Sequence, residues 1–243
     1  MLIFFHCHKA AGTTITRAAE ASGMKLPEGH RNGNPVDSDG KVIDWANLGK
    51  SATLDFLEKC DAQGVDMLSV EFSFPSWSTL AEVPNLKMFT VLRDPAARAL
   101  SNYRMDVLNN HVLRDRIFGF QSFMNGASIF RSDNFYTRFF CRVPPNAKLC
   151  RENLDFAKRR LEGLDAVCVL EKGNLPEKLE PLGFRAESFG WANANKSKKK
   201  FQNYDSEREE LDLKSFPGDP QFFAENCYDY ALYAYFLDKE THG

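Results

Sequence analysis

The sequence predicts a three-layer α/β domain in which helices cover both faces of a mostly parallel sheet. Two observations carry that reading. Short apolar runs of β-type residues recur along the chain, and helix-compatible stretches separate them, the alternation that builds parallel sheets. The first run, Leu2 to His6, is continuous and aromatic, as expected of a strand buried on both faces. From Thr13 the pattern turns helical, opening on hydroxyl residues and ending at Gly23. Further strands are expected at 65–70, 87–92 and 165–170, and further helices at 51–63, 95–109, 150–162 and 219–238. In the last helix Pro220 suits the first turn, and Phe223, Cys227, Ala231 and Ala234 form a stripe expected to be core. Residues 27–44 and 190–205 are rich in loop formers and read as surface loops.

A length of 243 residues with 43% hydrophobic and 26% charged composition fits one domain spanning 1–243. The net charge of −2 argues against a general nucleic-acid binder, because such domains carry a basic excess. Charge is nevertheless uneven. Between Arg104 and Arg160 eleven basic residues face five acidic ones, a stretch suited to an anionic ligand. No run is long enough for a membrane span and the opening M-L-I-F-F-H is too short for a signal segment, so the expectation is a cytoplasmic protein. The oligomeric state is left open. The six cysteines form no C-x-x-C pair; Cys141 and Cys150 could bridge a loop. His6-Cys7-His8 has a metal-like composition, but strand alternation turns Cys7 away from the two histidines, and no metal is expected.

The chemistry concentrates at strand ends. His8-Lys9-Ala10-Ala11-Gly12-Thr13-Thr14 runs from the first strand onto a helix N-terminus, where unpaired N–H groups and the helix dipole favour an anion. Small residues at 10–12 allow close backbone approach, Thr13 and Thr14 add hydroxyls, and Lys9 adds a charge. It is not a Walker A loop, since the first glycine is missing and the lysine precedes Gly12. A second strand-to-helix junction carries Arg93, Asp94-Pro95 and, two turns into the helix, Ser101. Guanidinium and hydroxyl can together chelate one phosphate.

These two junctions, in this order, resemble those of the sulfotransferases that use 3′-phosphoadenosine-5′-phosphosulfate (PAPS). The family's 5′-phosphosulfate loop resembles H-x-P-K-T-G-G-T-S; here His8 stands for its proline and Ala11 for its first glycine. The resemblance implies a P-loop NTPase-like sulfotransferase fold, with Lys9, Ala10, Ala11, Gly12, Thr13 and Thr14 around the phosphosulfate and Arg93 and Ser101 on the 3′-phosphate. Weaker echoes point to the carbohydrate 2-O-sulfotransferase-like branch. Asp133-Asn134-Phe135-Tyr136-Thr137-Arg138 is similar to a D-N-x-x-T-R segment, and the stretch from Asn193 to Lys200 is similar to a nucleotide-covering loop, with Asn193 and Lys196 as contacts. Tyr228 to Tyr233 resembles the family's last helix.

The expected reaction is in-line sulfuryl transfer from PAPS to a hydroxyl of a saccharide or small molecule, releasing 3′-phosphoadenosine-5′-phosphate (PAP). Lys9 would stabilise developing charge. Glu71, just past the 65–70 strand and in a context resembling the family's base-bearing segment, would take the acceptor proton. His6 and His8 are rival bases, and His8 and Arg138 are candidate acceptor contacts. The plainer alternative for Glu71 is a solvated strand-end carboxylate. A small-molecule kinase on the same fold would need a Walker lysine followed by a magnesium-holding hydroxyl, which the loop lacks. A non-catalytic PAP binder would keep the cradle without the chemistry; the presence of both Lys9 and Glu71 counts against it.

Overall fold

A computed structural model describes residues 1–108, 124, 128–190 and 219–242. It is an α/β protein around a four-stranded parallel sheet of order β2-β1-β3-β4, built from β1 (Leu2–Phe5), β2 (Met67–Val70), β3 (Lys87–Leu92) and β4 (Ala166–Val169). All four expected strands are present, within two residues at each end. Among the described residues the α-helices are α1 (Gly12–Ala21), α2 (Lys50–Ala62), α3 (Trp77–Leu80), α4 (Pro95–Leu108), α5 (Phe135–Cys141), α6 (Arg151–Glu162), α7 (Leu175–Leu179), α8 (Pro220–Glu225) and α9 (Cys227–His242). No helix among the described residues is long and apolar enough to cross a membrane. The chain divides into two compact units, one of Met1–Val91 with Leu164–Ala192, the other of Leu92–Gly163 with Asn193–Gly243.

The first unit holds the sheet. Alternation along β1 sends Leu2 and Phe4 to one face, where they join Ile15, Ala18 and Ala19 of α1 and Leu175, Leu179 and Phe184 in one buried cluster. Phe4 pairs in register with Phe89 of β3, and the two rings stack at 4.9 Å. An offset pair of this kind contributes about 1 kcal/mol beyond its buried area. Phe5 faces the opposite way, against Phe74 and Trp77. Helical elements therefore cover both faces of the sheet, consistent with a three-layer arrangement. The outer edge of β2 is closed by loop backbone: Ser69 N–H donates to Gly33 O at 2.9 Å. Gly33 has φ +83° and an added Cβ would lie 2.3 Å from Ser69 Oγ, so both conformation and space require glycine there.

In the second unit α9 packs on α4, α5 and α6. Its sequence pattern misleads. The expected stripe of Phe223, Cys227, Ala231 and Ala234 is exposed, and the buried line is Phe222, Asn226, Asp229, Leu232, Tyr233 and Phe236. Two polar residues on that line explain the discrepancy. Asn226 breaks the expected helix 219–238 into α8 and α9 and accepts the Asn134 N–H at 2.9 Å. Asp229 accepts from the N–H groups of Tyr136 and Thr137, at 2.8 and 2.9 Å, and from the Thr137 hydroxyl at 3.0 Å. Both side chains are buried because they satisfy the start of α5, which has no cap of its own. Asp219 caps α8 through Gln221 N–H, and Pro220 takes the first turn as expected.

Candidate functional site

The chain leaves β1 through a tight loop. Ala10 is fully buried and its N–H closes a turn on Cys7 O at 2.9 Å, so this residue supplies packing while its amide is engaged locally. Lys9 and Ala11 adopt left-handed backbone, φ 67° and 61°, a conformation with a steric cost for non-glycine residues that is found at ligand-holding turns. Ala11 is the residue before α1 and offers no side-chain cap. The amides of Gly12, Thr13 and Thr14 thus form the uncapped start of a ten-residue helix, with Thr13 exposed and Thr14 half-buried. Gly12 has a reason of its own. A Cβ there would sit 1.9 Å from His6 Nε2, so the glycine makes room for an imidazole.

His6 continues the Phe4 side of β1 and stacks on Phe4 at 5.3 Å, which presses its ring against the start of α1. Cys7, two residues past β1 with its N–H turned back onto Phe5 O, goes elsewhere: it is buried, with its sulfur 3.6 Å from Thr90 Oγ1. Both histidines converge on Glu71, one residue beyond β2, the strand beside β1. His8 Nδ1 lies 2.6 Å from Glu71 Oε1, a hydrogen bond in good geometry. His6 Nδ1 lies 3.2 Å from Oε2, close enough for charge interaction but outside hydrogen-bond geometry. Asn34 Nδ2 approaches Oε2 at 3.4 Å. Glu71 is 7% exposed, so it is not a solvated strand-end carboxylate. Burial alone would raise its pKa, but the two imidazoles beside it outweigh that and hold the carboxyl at about 2.

The other predicted residues fall in the second unit. Arg93 follows directly on β3, and its backbone is clasped by one hydroxyl: Tyr136 Oη accepts from Arg93 N–H at 3.0 Å and donates to Arg93 O at 2.7 Å. Asp94 caps α4 through Ala97 N–H, and Ser101 lies two turns on, half-buried. The D-N-x-x-T-R segment has a scaffold role here. Asn134 Oδ1 accepts from the N–H groups of Tyr228 and Asp229, and Thr137 bonds Asp229. Arg138 is buried, and its guanidinium donates to Asp133 O, the Asp133 carboxylate, Pro144 O and Ala147 O. Its guanidinium braces residues 133–147. Cys141 and Cys150 are unbridged thiols that both donate to Asn153, and burial pushes Cys141 up to about 11. Among the described residues no group of three His, Cys, Asp or Glu side chains is arranged to hold a metal ion. Asn193 and Lys196 lie outside the described residues.

Three contributors escaped sequence reading. Asn34 and Gly33 sit in a stretch legible only as loop, and Tyr136 was visible only as part of a motif. No local signal gives a loop asparagine a partner 37 residues away or a tyrosine a partner 43 residues away. No family model and no curated protein matches the chain.

Proposed function

We propose that this protein transfers a sulfuryl group from PAPS to an acceptor hydroxyl, with a saccharide or other small hydroxyl compound as acceptor. One observation carries the reading furthest. The loop bearing Lys9 presents the uncapped amides of Gly12, Thr13 and Thr14 beside a buried carboxylate–imidazole cluster, which joins an anion cradle to proton-accepting groups within one unit. The cradle would hold the 5′-phosphosulfate, and Lys9 would meet the charge that develops on the transferring group and the bridging oxygen. Arg93 and Ser101 are the proposed 3′-phosphate ligands, and the clasp of Tyr136 fixes the backbone from which the Arg93 side chain departs.

Proton removal needs revision in detail. A carboxylate held at about 2 is a feeble acceptor near neutral pH, where general bases work best with pKa values near the ambient value. Glu71 therefore belongs to the base machinery as one half of a pair with His8. The reading is tested by incubating the protein and PAPS with a panel of hydroxyl acceptors and detecting sulfated products by mass spectrometry. Lys9→Ala is expected to lower turnover by about two to three orders of magnitude while weakening PAP binding less. Near-normal turnover of that variant under saturating PAPS would reduce Lys9 to an anchor, and absence of any sulfated product together with absence of PAP binding would overturn the reading.

A further inference from the structure

The two residues proposed to hold the 3′-phosphate share one support. Arg93 follows β3, Ser101 lies on α4, and both are half-buried. Behind them α5 is buried from Phe135 to Phe140. The Tyr136 hydroxyl binds both polar groups of the Arg93 backbone, accepting from its N–H at 3.0 Å and donating to its C=O at 2.7 Å. A hydroxyl can do both at once, so a single atom fixes the peptide planes on either side of the Arg93 Cα and with them the direction in which the side chain departs. The helix of Ser101 is tied to the same segment. Arg98 and Asn102, three residues before Ser101 and one after it, are buried and donate to Phe130 O at 3.4 and 3.0 Å. The Arg98 guanidinium also lies over the Phe135 ring, 4.2 Å from its centroid. The tyrosine is held in turn from α9, where Asp229 accepts its N–H at 2.8 Å.

We infer that Tyr136 is the positioning residue of the 3′-phosphate site, holding the Arg93 backbone so that the guanidinium is preorganised for a phosphate. This rests on the PAPS reading and adds to it a residue that touches no ligand. A guanidinium recognises phosphate best when its planar fork arrives in the matching orientation. A side chain as long as arginine also loses less conformational freedom on binding when its root is already fixed. The effect of the tyrosine is therefore confined to ligands that carry the 3′-phosphate. Tyr136→Phe removes the hydroxyl and keeps the ring, and the bond to Asp229 is spared because it uses the main chain.

Calorimetric titration of Tyr136→Phe with PAP, and with the same nucleotide lacking the 3′-phosphate, provides the test. PAP affinity is expected to fall about tenfold while affinity for the other nucleotide stays within about twofold of wild type. In an Arg93→Ala background the same substitution is expected to change PAP affinity by less than about twofold, because the tyrosine acts through the arginine. Equal weakening of both nucleotides, or a full loss added to that of Arg93→Ala, would make Tyr136 a general support of the fold and overturn the proposal. Unchanged PAP affinity would overturn it as well. A second readout uses wild type alone and so does not depend on how well the variant folds: PAP should slow hydrogen exchange at the Arg93 amide more than the nucleotide lacking the 3′-phosphate does. An equal response to the two, in protein that prefers PAP, would also overturn the proposal. Wild-type protein that binds both nucleotides equally, or neither, would instead overturn the functional reading, and this assignment with it.

Discussion

Glu71 and Asp229 are both buried carboxylates that organise their unit, yet they are displaced in opposite directions. Glu71 is held down at about 2, because two imidazoles outweigh its burial. Asp229, fully enclosed, is pushed up to about 6 by burial, which the amides of Thr137 and Tyr136, the charge of Arg98 and the Thr137 hydroxyl offset only in part. The partners make the difference. Amides and a hydroxyl are fixed donors that complete a helix start, whereas imidazoles can gain, lose and relay protons. A buried carboxylate among fixed donors is a structural node, and one among histidines is suited to chemistry.

Removing each carboxylate should separate the two roles, and the largest effect is expected at Asp229. Asp229→Ala orphans two buried amides and a hydroxyl at the start of α5, at a cost of about 4 kcal/mol by urea denaturation. Glu71→Gln keeps the shape of its site and should cost less. If the two substitutions destabilised equally, Glu71 would be as structural as Asp229 and the contrast would fail.

A smaller and more discriminating effect is expected from pH. A lowered carboxylate stabilises the fold above its unfolded value near 4.5, and that contribution disappears as pH falls toward 2. A raised one contributes below its unfolded value near 3.8, and the contribution is lost as pH rises through about 6. Each limb is on the order of 2 to 3 kcal/mol. Denaturation midpoints across pH should therefore show Glu71→Gln flattening the acid limb alone and Asp229→Asn flattening the decline between about 4 and 6 alone. Any exchange of these signatures would contradict the assigned surroundings.

Much of this was legible in the sequence, for reasons that also mark where legibility stopped. Continuous apolar runs located the strands, and the loop after β1 announced itself by small residues ahead of a helix. Cys7 does lie away from Glu71, against Thr90, but a turn just past β1 puts it there rather than strand alternation. The α9 stripe failed because burial there follows hydrogen-bond demand: Asn226 and Asp229 go inside to serve α5, and apolar periodicity cannot register that. The His8–Glu71 pair spans 63 residues and depends on β1 and β2 being neighbours, so both residues were named as candidates without being joined. The bracing by Arg138 was hidden for the complementary reason, since three of its acceptors are backbone carbonyls without side-chain signature.

The central claim is that this chain binds the sulfuryl donor's nucleotide through its 3′-phosphate, and calorimetry tests it most directly. Titrating PAP and the same nucleotide without the 3′-phosphate into wild type and Arg93→Ala should show wild type preferring PAP by about a hundredfold, roughly 3 kcal/mol, and the variant losing most of that preference. Equal affinity of wild type for both nucleotides, or an undiminished preference in Arg93→Ala, would contradict the account.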